Sequence, residues 1–149
     1  MENKKKERRI FGLLGRNIAY SFSRAYFSEK FKVLKLSTYK YINFDINELS
    51  KLQSVIEEYQ ERLVGFNVTI PYKQDIFKHL NVIHPKAKAI GAVNTVKLLS
   101  DGSMEGYNTD EYGFRKSLEP LLKKSHNKAL ILGTGGASKA VAYALESLH

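Results

Sequence analysis

The 149-residue sequence has no cysteine, which rules out disulfides and any metal site built on thiolates. Its four histidines, His79, His84, His126 and His149, are scattered and lack the spacing of a zinc site, so no metal is expected. No apolar run approaches the length that spans a membrane, and the N-terminus lacks the apolar stretch of a signal peptide. The expected address is the cytoplasm. Repeats and low-complexity tracts are missing as well.

What remains is an ordinary globular composition, 43% hydrophobic and 26% charged with three prolines. That length suits one domain with a useful core and part of a second. A net charge of +9 is a reason to consider nucleic acid, since basic surfaces attract phosphate without sequence preference. Five cations, Lys4, Lys5, Lys6, Arg8 and Arg9, sit together at the start beside only Glu2 and Glu7. Residues 1–8 therefore read as a solvated, frayed basic leader. A basic cleft would equally suit an anionic small molecule, and no nucleic-acid motif is recognised. The expected partner is a small-molecule substrate, with neither nucleic acid nor membrane, in a monomer or homodimer.

Hydrophobic spacing sets the layout. Arg9 to Leu14 reads as a strand closed by Gly15, and Ser23 to Lys35 as a helix patterned by Phe22, Tyr26, Phe27, Phe31 and Leu34. Tyr39 to Phe44 is a second strand. Leu49, Leu52, Val55, Ile56, Tyr59 and Leu63 make an amphipathic helix with Asn47 as its expected N-cap. Leu63 to Thr69 is a third strand, and Pro71 to Leu80 a third helix. This alternation predicts an α/β fold with a mainly parallel sheet and helices on both faces. Beyond His84-Pro85, the stretches Ala92 to Leu99 and Met104 to Tyr107 flank a hairpin turn, Ser100-Asp101-Gly102-Ser103. A helix from Thr109 to Leu122 and a polar linker from Lys123 to Asn127 complete this part.

In GFNVTIPYK, residues 65–73, Phe66, Val68 and Ile70 alternate with polar neighbours before Pro71 opens the expected helix. Lys73 then falls in a first helical turn, where the positive end of the dipole repels a cation. Ser21 and Ser23 stand at the start of the first helix; one hydroxyl serves as cap, and the other is left for a ligand such as a carboxylate. Asp110 in GYNTDEYG suits a first turn on electrostatic grounds alone, with Thr109 or Asn108 as the cap. Asn94 and Thr95 in IGAVNT read equally as polar strand-end residues. Gly133-Thr134-Gly135-Gly136 follows an expected strand, Ala129 to Leu132, and precedes a helix, a context in which backbone N–H groups can approach a pyrophosphate. The spacing departs from G-x-G-x-x-G, with Ser138 in the third place after Gly135, and a plain tight turn accounts for such a loop too. A ribose-reading residue, about 20 positions after the glycines in such folds, would fall beyond His149.

Five stretches in order, GLLGRNIAYSFS, GFNVTIPYK, AIGAVNT, GYNTDEYG and ILGTGGASKAV, resemble the shikimate dehydrogenase family over nearly the whole chain after the leader. The resemblance implies a three-layer αβα substrate-binding domain over residues 9–108 and a connecting helix and linker over 109–127. Residues 128–149 would then begin an NADP-binding domain, as the first βα unit of a truncated Rossmann-like fold. Ser21 and Ser23 match serines that hold the shikimate carboxylate, and Thr69 and Asn94 match residues that bond the ring hydroxyls. Lys73 and Asp110 match the acid–base pair at the reacting hydroxyl. Gly133, Gly135, Gly136, Ala137 and Ser138 match the loop beneath the NADP pyrophosphate. The implied reaction is the reversible NADPH-dependent reduction of 3-dehydroshikimate to shikimate, in aromatic amino-acid biosynthesis. A quinate-accepting dehydrogenase and a non-catalytic shikimate-binding module are the alternatives; Ser23 favours shikimate, because quinate-preferring members often vary there.

The departures from the family pattern cluster in the first loop. Arg16-Asn17 replaces Asn-Pro, Tyr20 a common histidine and Arg24 a frequent proline, while Thr134 replaces an alanine in the glycine loop. Both serines are untouched. The family's phosphate-discriminating arginine motif and a later substrate-binding glutamine have no match in these 149 residues, so little dehydrogenase activity is expected from the chain by itself.

Overall fold

Strand β1 (Arg9–Gly15) is the hub of the computed structural model, which describes residues 9–148. It pairs in parallel with β2 (Tyr39–Asp45) on one side and β3 (Leu63–Val68) on the other. Beyond β3 come β5 (Thr95–Leu98) and β6 (Met104–Tyr107), and the two-residue β4 (Val82–Ile83) closes the far edge, giving the order β2-β1-β3-β5-β6-β4. β4 runs parallel to β6, whereas β5 is antiparallel to both its neighbours. The sheet is therefore mainly parallel, as the alternation predicts. The reversal is local: a short turn joins β5 to β6, and only antiparallel strands can be joined so tightly.

Successive residues of a strand face opposite sides, and the two cores divide accordingly. Ile10 and Leu14 point into the larger core with Phe44, Phe66, Val68 and Val96, beneath helix α2 (Leu52–Tyr59) and the turn carrying Tyr72 and Ile76. Leu13 and Tyr41 point the other way, towards α1 (Ser23–Val33). There Phe27 stacks on Tyr41 at 4.5 Å between centroids, and Phe31 packs on Phe11 at 5.6 Å. A third cluster, Ile90, Ala92 and Ala140, joins α3 (Pro85–Ile90) to α5 (Gly136–Glu146). Helix α4 (Asp110–Leu118) packs beside α5.

Local chemistry overrides the spacing in several places. The expected helix from Pro71 to Leu80 is instead a turn followed by a 3-10 segment, Asp75–His79. The Lys73 carbonyl accepts the Val93 N–H at 2.8 Å, and the Phe77 N–H reaches Gln74 at 3.3 Å, so the bond an α-helix needs between residues 73 and 77 is not made. Lys73 is enclosed by one isolated turn, the Ile76 N–H on the Tyr72 carbonyl at 3.0 Å, and belongs to no continued helix whose summed dipole could act on it. Ile70, expected to alternate inward, is exposed. Asn47 caps nothing, because α2 begins only at Leu52 after a 3-10 turn at Leu49–Lys51. That helix also ends before Leu63, since Gln60 takes a φ of +45°.

Helix α3 and strand β4 are not announced by hydrophobic spacing. The capping signals for α3 are present nonetheless: Pro85 in the first turn, His84 Nδ1 accepting the Lys86 N–H at 3.3 Å, and Gly91 left-handed at φ +73° just past the end. β4 is too short to leave a period. Ala129 to Leu132, expected as a strand, pairs with nothing among the described residues, and Leu130 and Leu132 are 84% and 88% exposed. A strand needs a neighbour for its backbone groups, and none lies alongside. This stretch borders an apolar groove of about 670 Å³ lined by Phe114, Leu118, Ile131, Val141 and Leu145. The basic leader and His149 lie outside the described residues.

Candidate active site

The strand directions bring four segments to one edge of the sheet: the carboxyl ends of β1, β3 and β6 and the amino end of β5. In open α/β sheets that is the edge where ligand sites form. Ser21 and Ser23 follow β1, Thr69 follows β3, Asn94 precedes β5 and Asp110 follows β6. The topology thus gathers residues that are far apart in sequence.

At the centre, Lys73 Nζ donates to Asp110 Oδ2 at 2.7 Å, with both side chains half-buried. The turn that presents Lys73 is closed by the Tyr72 N–H on the Thr69 carbonyl, 2.9 Å, and by the Val93 N–H on Lys73 itself. Asp110 opens α4. The N-cap position is Thr109, but the capping side chain is that of Asn108, whose Oδ1 accepts the N–H groups of Asp110 at 3.0 Å and Glu111 at 3.2 Å. Its Nδ2 donates to the Ala92 carbonyl at 2.9 Å.

Asn94 is buried and fully engaged. Its Nδ2 donates to Asp110 Oδ1 at 2.7 Å and to Thr109 Oγ1 at 2.9 Å, and its Oδ1 accepts the Thr109 N–H at 2.9 Å and the Thr95 hydroxyl at 3.0 Å. The two oxygens of Asp110 are therefore divided between a cation and a fixed amide. Further bonds extend this support. The Tyr41 hydroxyl donates to Asn67 Oδ1 at 2.8 Å, and Asn67 Nδ2 donates to Thr95 Oγ1 at 3.1 Å. Burial pushes the Tyr41 phenol far above its ordinary titration range, so it remains a neutral donor. Asn67 carries no motif of its own in the sequence, although it lies two residues before Thr69 and hence on the same strand face.

Ser21 and Ser23 do not divide into one cap and one free hydroxyl. The N-cap position is Phe22, and the serines engage each other: the Ser21 hydroxyl donates to Ser23 Oγ at 3.2 Å and accepts the Ser23 N–H at 3.3 Å. Their loop is pinned by Asp45, which accepts the N–H groups of Asn17 at 2.8 Å and Ile18 at 3.1 Å. A proline at position 17 could not make the first of these bonds. Thr69 is held at the carboxyl end of β1, its N–H on the Leu14 carbonyl at 2.9 Å.

The glycine loop leads into α5. Gly133 has φ +134°, which side chains rarely adopt, and Gly135 is the N-cap of the helix. Ala137 is exposed and Ser138 half-buried, while Gly136 is buried directly against Lys73 and Ala92. The structure therefore brings Lys73, Asp110, Asn94 and Gly136 together. Ser21, Ser23 and Thr69 stand on the neighbouring strand ends, and Gly133, Gly135, Ala137 and Ser138 form the turn around the start of α5.

Glu111, beside Asp110, is not singled out by the sequence. It is 1% exposed and splits its carboxylate between Lys86 Nζ and Arg115 Nε, each at 2.9 Å. Burial works against its charge, but the hydrogen bonds and charges of Lys86 and Arg115 outweigh it and hold the carboxyl below the usual range. The Arg115 contact follows i,i+4 helix spacing, but Lys86 arrives from another helix and no local pattern announces it.

A sequence model of the family described as the shikimate dehydrogenase substrate binding domain matches residues 13–96, more than half of the chain. The shikimate dehydrogenase (NADP+) of Methanococcus vannielii is 42% identical over 138 residues, covering 91% of this chain and 48% of its own length. Among solved structures, shikimate dehydrogenase 1 from Peptoclostridium difficile has a TM-score of 0.83 at 39% identity, over 93% of this chain and 52% of that one. The shikimate 5-dehydrogenase of Thermus thermophilus, solved with NADP(H) and shikimate, has a TM-score of 0.81 at 36% identity, over 94% and 52%. The chain spans about half the length of the curated relatives it matches. On this agreement of motifs, fold and relatives, the chain belongs to the shikimate dehydrogenase family.

Proposed function

We propose that residues 9–108 are the substrate-binding domain of a shikimate dehydrogenase and that residues 128–149 begin its NADP-binding unit. The whole enzyme would reversibly reduce 3-dehydroshikimate to shikimate with NADPH. The observation that carries this reading is the 2.7 Å contact of Lys73 with Asp110, whose other oxygen is held by Asn94.

Each residue has a task in that reaction. Reduction of a ring ketone places negative charge on its oxygen, which must be stabilised and protonated. The Lys73 ammonium gives its proton to that oxygen, and in the reverse direction the amine takes the hydroxyl proton back. Asp110 aims the ammonium, and Asn94 fixes Asp110. Ser21 and Ser23 turn their hydroxyls from each other to the substrate carboxylate, and Thr69 meets a ring hydroxyl. The glycine loop fits a pyrophosphate on its own geometry: Gly133 takes a backbone angle that keeps side chains away, the space around Gly135 is open, and the first N–H groups of α5 have no helical acceptor. NADPH bound there would supply the hydride to the carbonyl carbon and leave as NADP+.

Shikimate should raise the melting temperature of the 149-residue chain, and Lys73→Ala or Ser21→Ala should remove that shift. In the full-length dehydrogenase, Lys73→Ala should lower turnover by about 10²- to 10⁴-fold, the usual contribution of a positioned acid or base. No melting shift with shikimate, together with salt-sensitive retention on DNA, would sink this reading in favour of a nucleic-acid partner.

A further inference from the structure

The start of α5 rests on the candidate proton donor. A Cβ built on Gly136 would stand 2.7 Å from Lys73 Cβ and 3.2 Å from both Lys73 Cδ and Ala92 Cβ. Real Cβ atoms essentially never come within 3.0 Å of a neighbour, so a side chain at 136 forces something to move. The outer methylenes of Lys73 can rotate, but its Cβ cannot leave without its backbone. That backbone is held by the Val93 N–H on the Lys73 carbonyl at 2.8 Å and by the flanking Tyr72 N–H on Thr69 at 2.9 Å. Ala92 is tied as well, because its carbonyl takes Asn108 Nδ2, and Asn108 caps the Asp110 N–H. Gly136 therefore bears on both members of the ion pair, directly on Lys73 and through Ala92 and Asn108 on Asp110.

We propose that Gly136 is a positioning residue whose missing side chain seats the glycine-loop helix against the Lys73 stem and so keeps the ammonium on Asp110. For its functional meaning the inference rests on the reading of Lys73 and Asp110 as an acid–base pair. The task is separate from admitting a pyrophosphate, since the open space lies around Gly135 and the left-handed backbone at Gly133. With a methyl at 136, either α5 backs away or the Lys73 stem rotates. In both cases Nζ shifts relative to Asp110 Oδ2, and a displacement of about 1 Å takes a 2.7 Å contact out of hydrogen-bond range.

The test reads the Lys73 amine itself. Lysines of the folded 149-residue chain are acetylated with a limiting reagent, and the Lys73 rate is measured by peptide mass spectrometry relative to the exposed Lys88 and Lys97. A half-buried amine hydrogen-bonded to a carboxylate at 2.7 Å is screened from the reagent, so it reacts slowly while that contact holds. Gly136→Ala should speed Lys73 labelling several-fold, while Gly113→Ala, which points into open space on α4, should leave the ratio as in the parent. An unchanged Lys73 ratio in folded Gly136→Ala protein overturns the proposal. If that variant melts too early to label, a double-mutant cycle decides. Lys73→Gly deletes the Cβ that the methyl would strike, so Gly136→Ala should cost clearly less stability in that background than in the parent. Equal costs in both backgrounds overturn the proposal. The shikimate melting shift of the parent chain is read separately; its failure would remove the functional reading and leave the labelling result standing on its own.

Discussion

Replacing Glu111 by glutamine removes one charge from the most enclosed ionic group among the described residues while keeping its shape. Each of its two charge-assisted hydrogen bonds, to Lys86 and Arg115, is worth about 1.5–3 kcal/mol in general. The loss is smaller than their sum. Arg115 keeps Glu119 at 2.6 Å, Lys86 is 41% exposed and can turn to water, and the cost of burying a charge disappears with the charge. The glutamine oxygen still serves Arg115, but its NH₂ faces the Lys86 ammonium, donor against donor. One bond lost and one weakened, less the recovered desolvation, comes to about 2 kcal/mol. At about 2–4 °C per kcal/mol for a chain of this size, Glu111→Gln should lower the melting temperature by about 4–8 °C at neutral pH.

The sign of the pH dependence follows from the depressed carboxyl. Burial opposes its ionisation, yet Lys86 and Arg115 keep it charged below the ordinary range, so the unfolded chain binds the proton first as pH falls. Stability from Glu111 is whole above the unfolded carboxyl value and drains as pH drops through the folded one. Glutamine has nothing to titrate. Thermal unfolding followed by circular dichroism from neutral pH into acid should therefore show the two proteins converging. Equal melting temperatures at neutral pH, or a gap that widens in acid, would refute the reasoning.

Two further outcomes are expected. Asp45→Ala frees the exposed N–H of Asn17 and the part-buried N–H of Ile18, so stability should fall by about 1–2 kcal/mol. Shikimate affinity measured by calorimetry should drop more visibly, and full affinity would show that the pinned loop does not set the serines. Asn94→Ala leaves Asp110 Oδ1 and the Thr109 N–H without their partner, which should cost about 2–3 kcal/mol in urea unfolding. A cost under about 0.5 kcal/mol, the scale of a bland surface change, would mean that Asn94 does not hold the site.

The first half of the fold is legible because its elements obey one period each. Alternation in β1 and β2 separates Leu14 from Leu13 and Phe44 from Tyr41, and the packing follows that division. The segment after β3 is not legible, because a bond from Val93 claims the Lys73 carbonyl and no local pattern reports a partner 20 residues away. Lys73 illustrates the difference. Helix electrostatics marks it for a reason that fails, since it sits in no helix, whereas the motif resemblance pairs it with Asp110, which is where its ammonium lies. The serines are legible as residues but not as a mutually bonded pair. Asp45 and Asn67 escape sequence reasoning because their partners come from other elements, and Glu111 because Lys86, one of its two partners, does. Asn108 and Thr109 compete for one cap in the sequence; the choice falls to Asn108, while the Thr109 hydroxyl and N–H are both taken by Asn94.

The placement of the β5–β6 hairpin also ties the chemistry to folding. Lys73 and Asp110 are 37 residues apart, and the hairpin lies between them, docked along β3. Neither residue can meet the other until that seam is zipped, and the entropy of closing so long a loop is recovered only by the docking itself. Two backbone bonds stitch the seam beside the site, Val68 N–H to Asn94 and Val93 N–H to Lys73, and a third, Asn94 N–H to Tyr107, closes the hairpin itself. A molecule that opens there loses its ion pair together with its sheet. Hydrogen exchange at those three amides would then follow the same clock as the appearance of the ammonium–carboxylate contact, making the site a reporter of whether this region of the chain has finished folding.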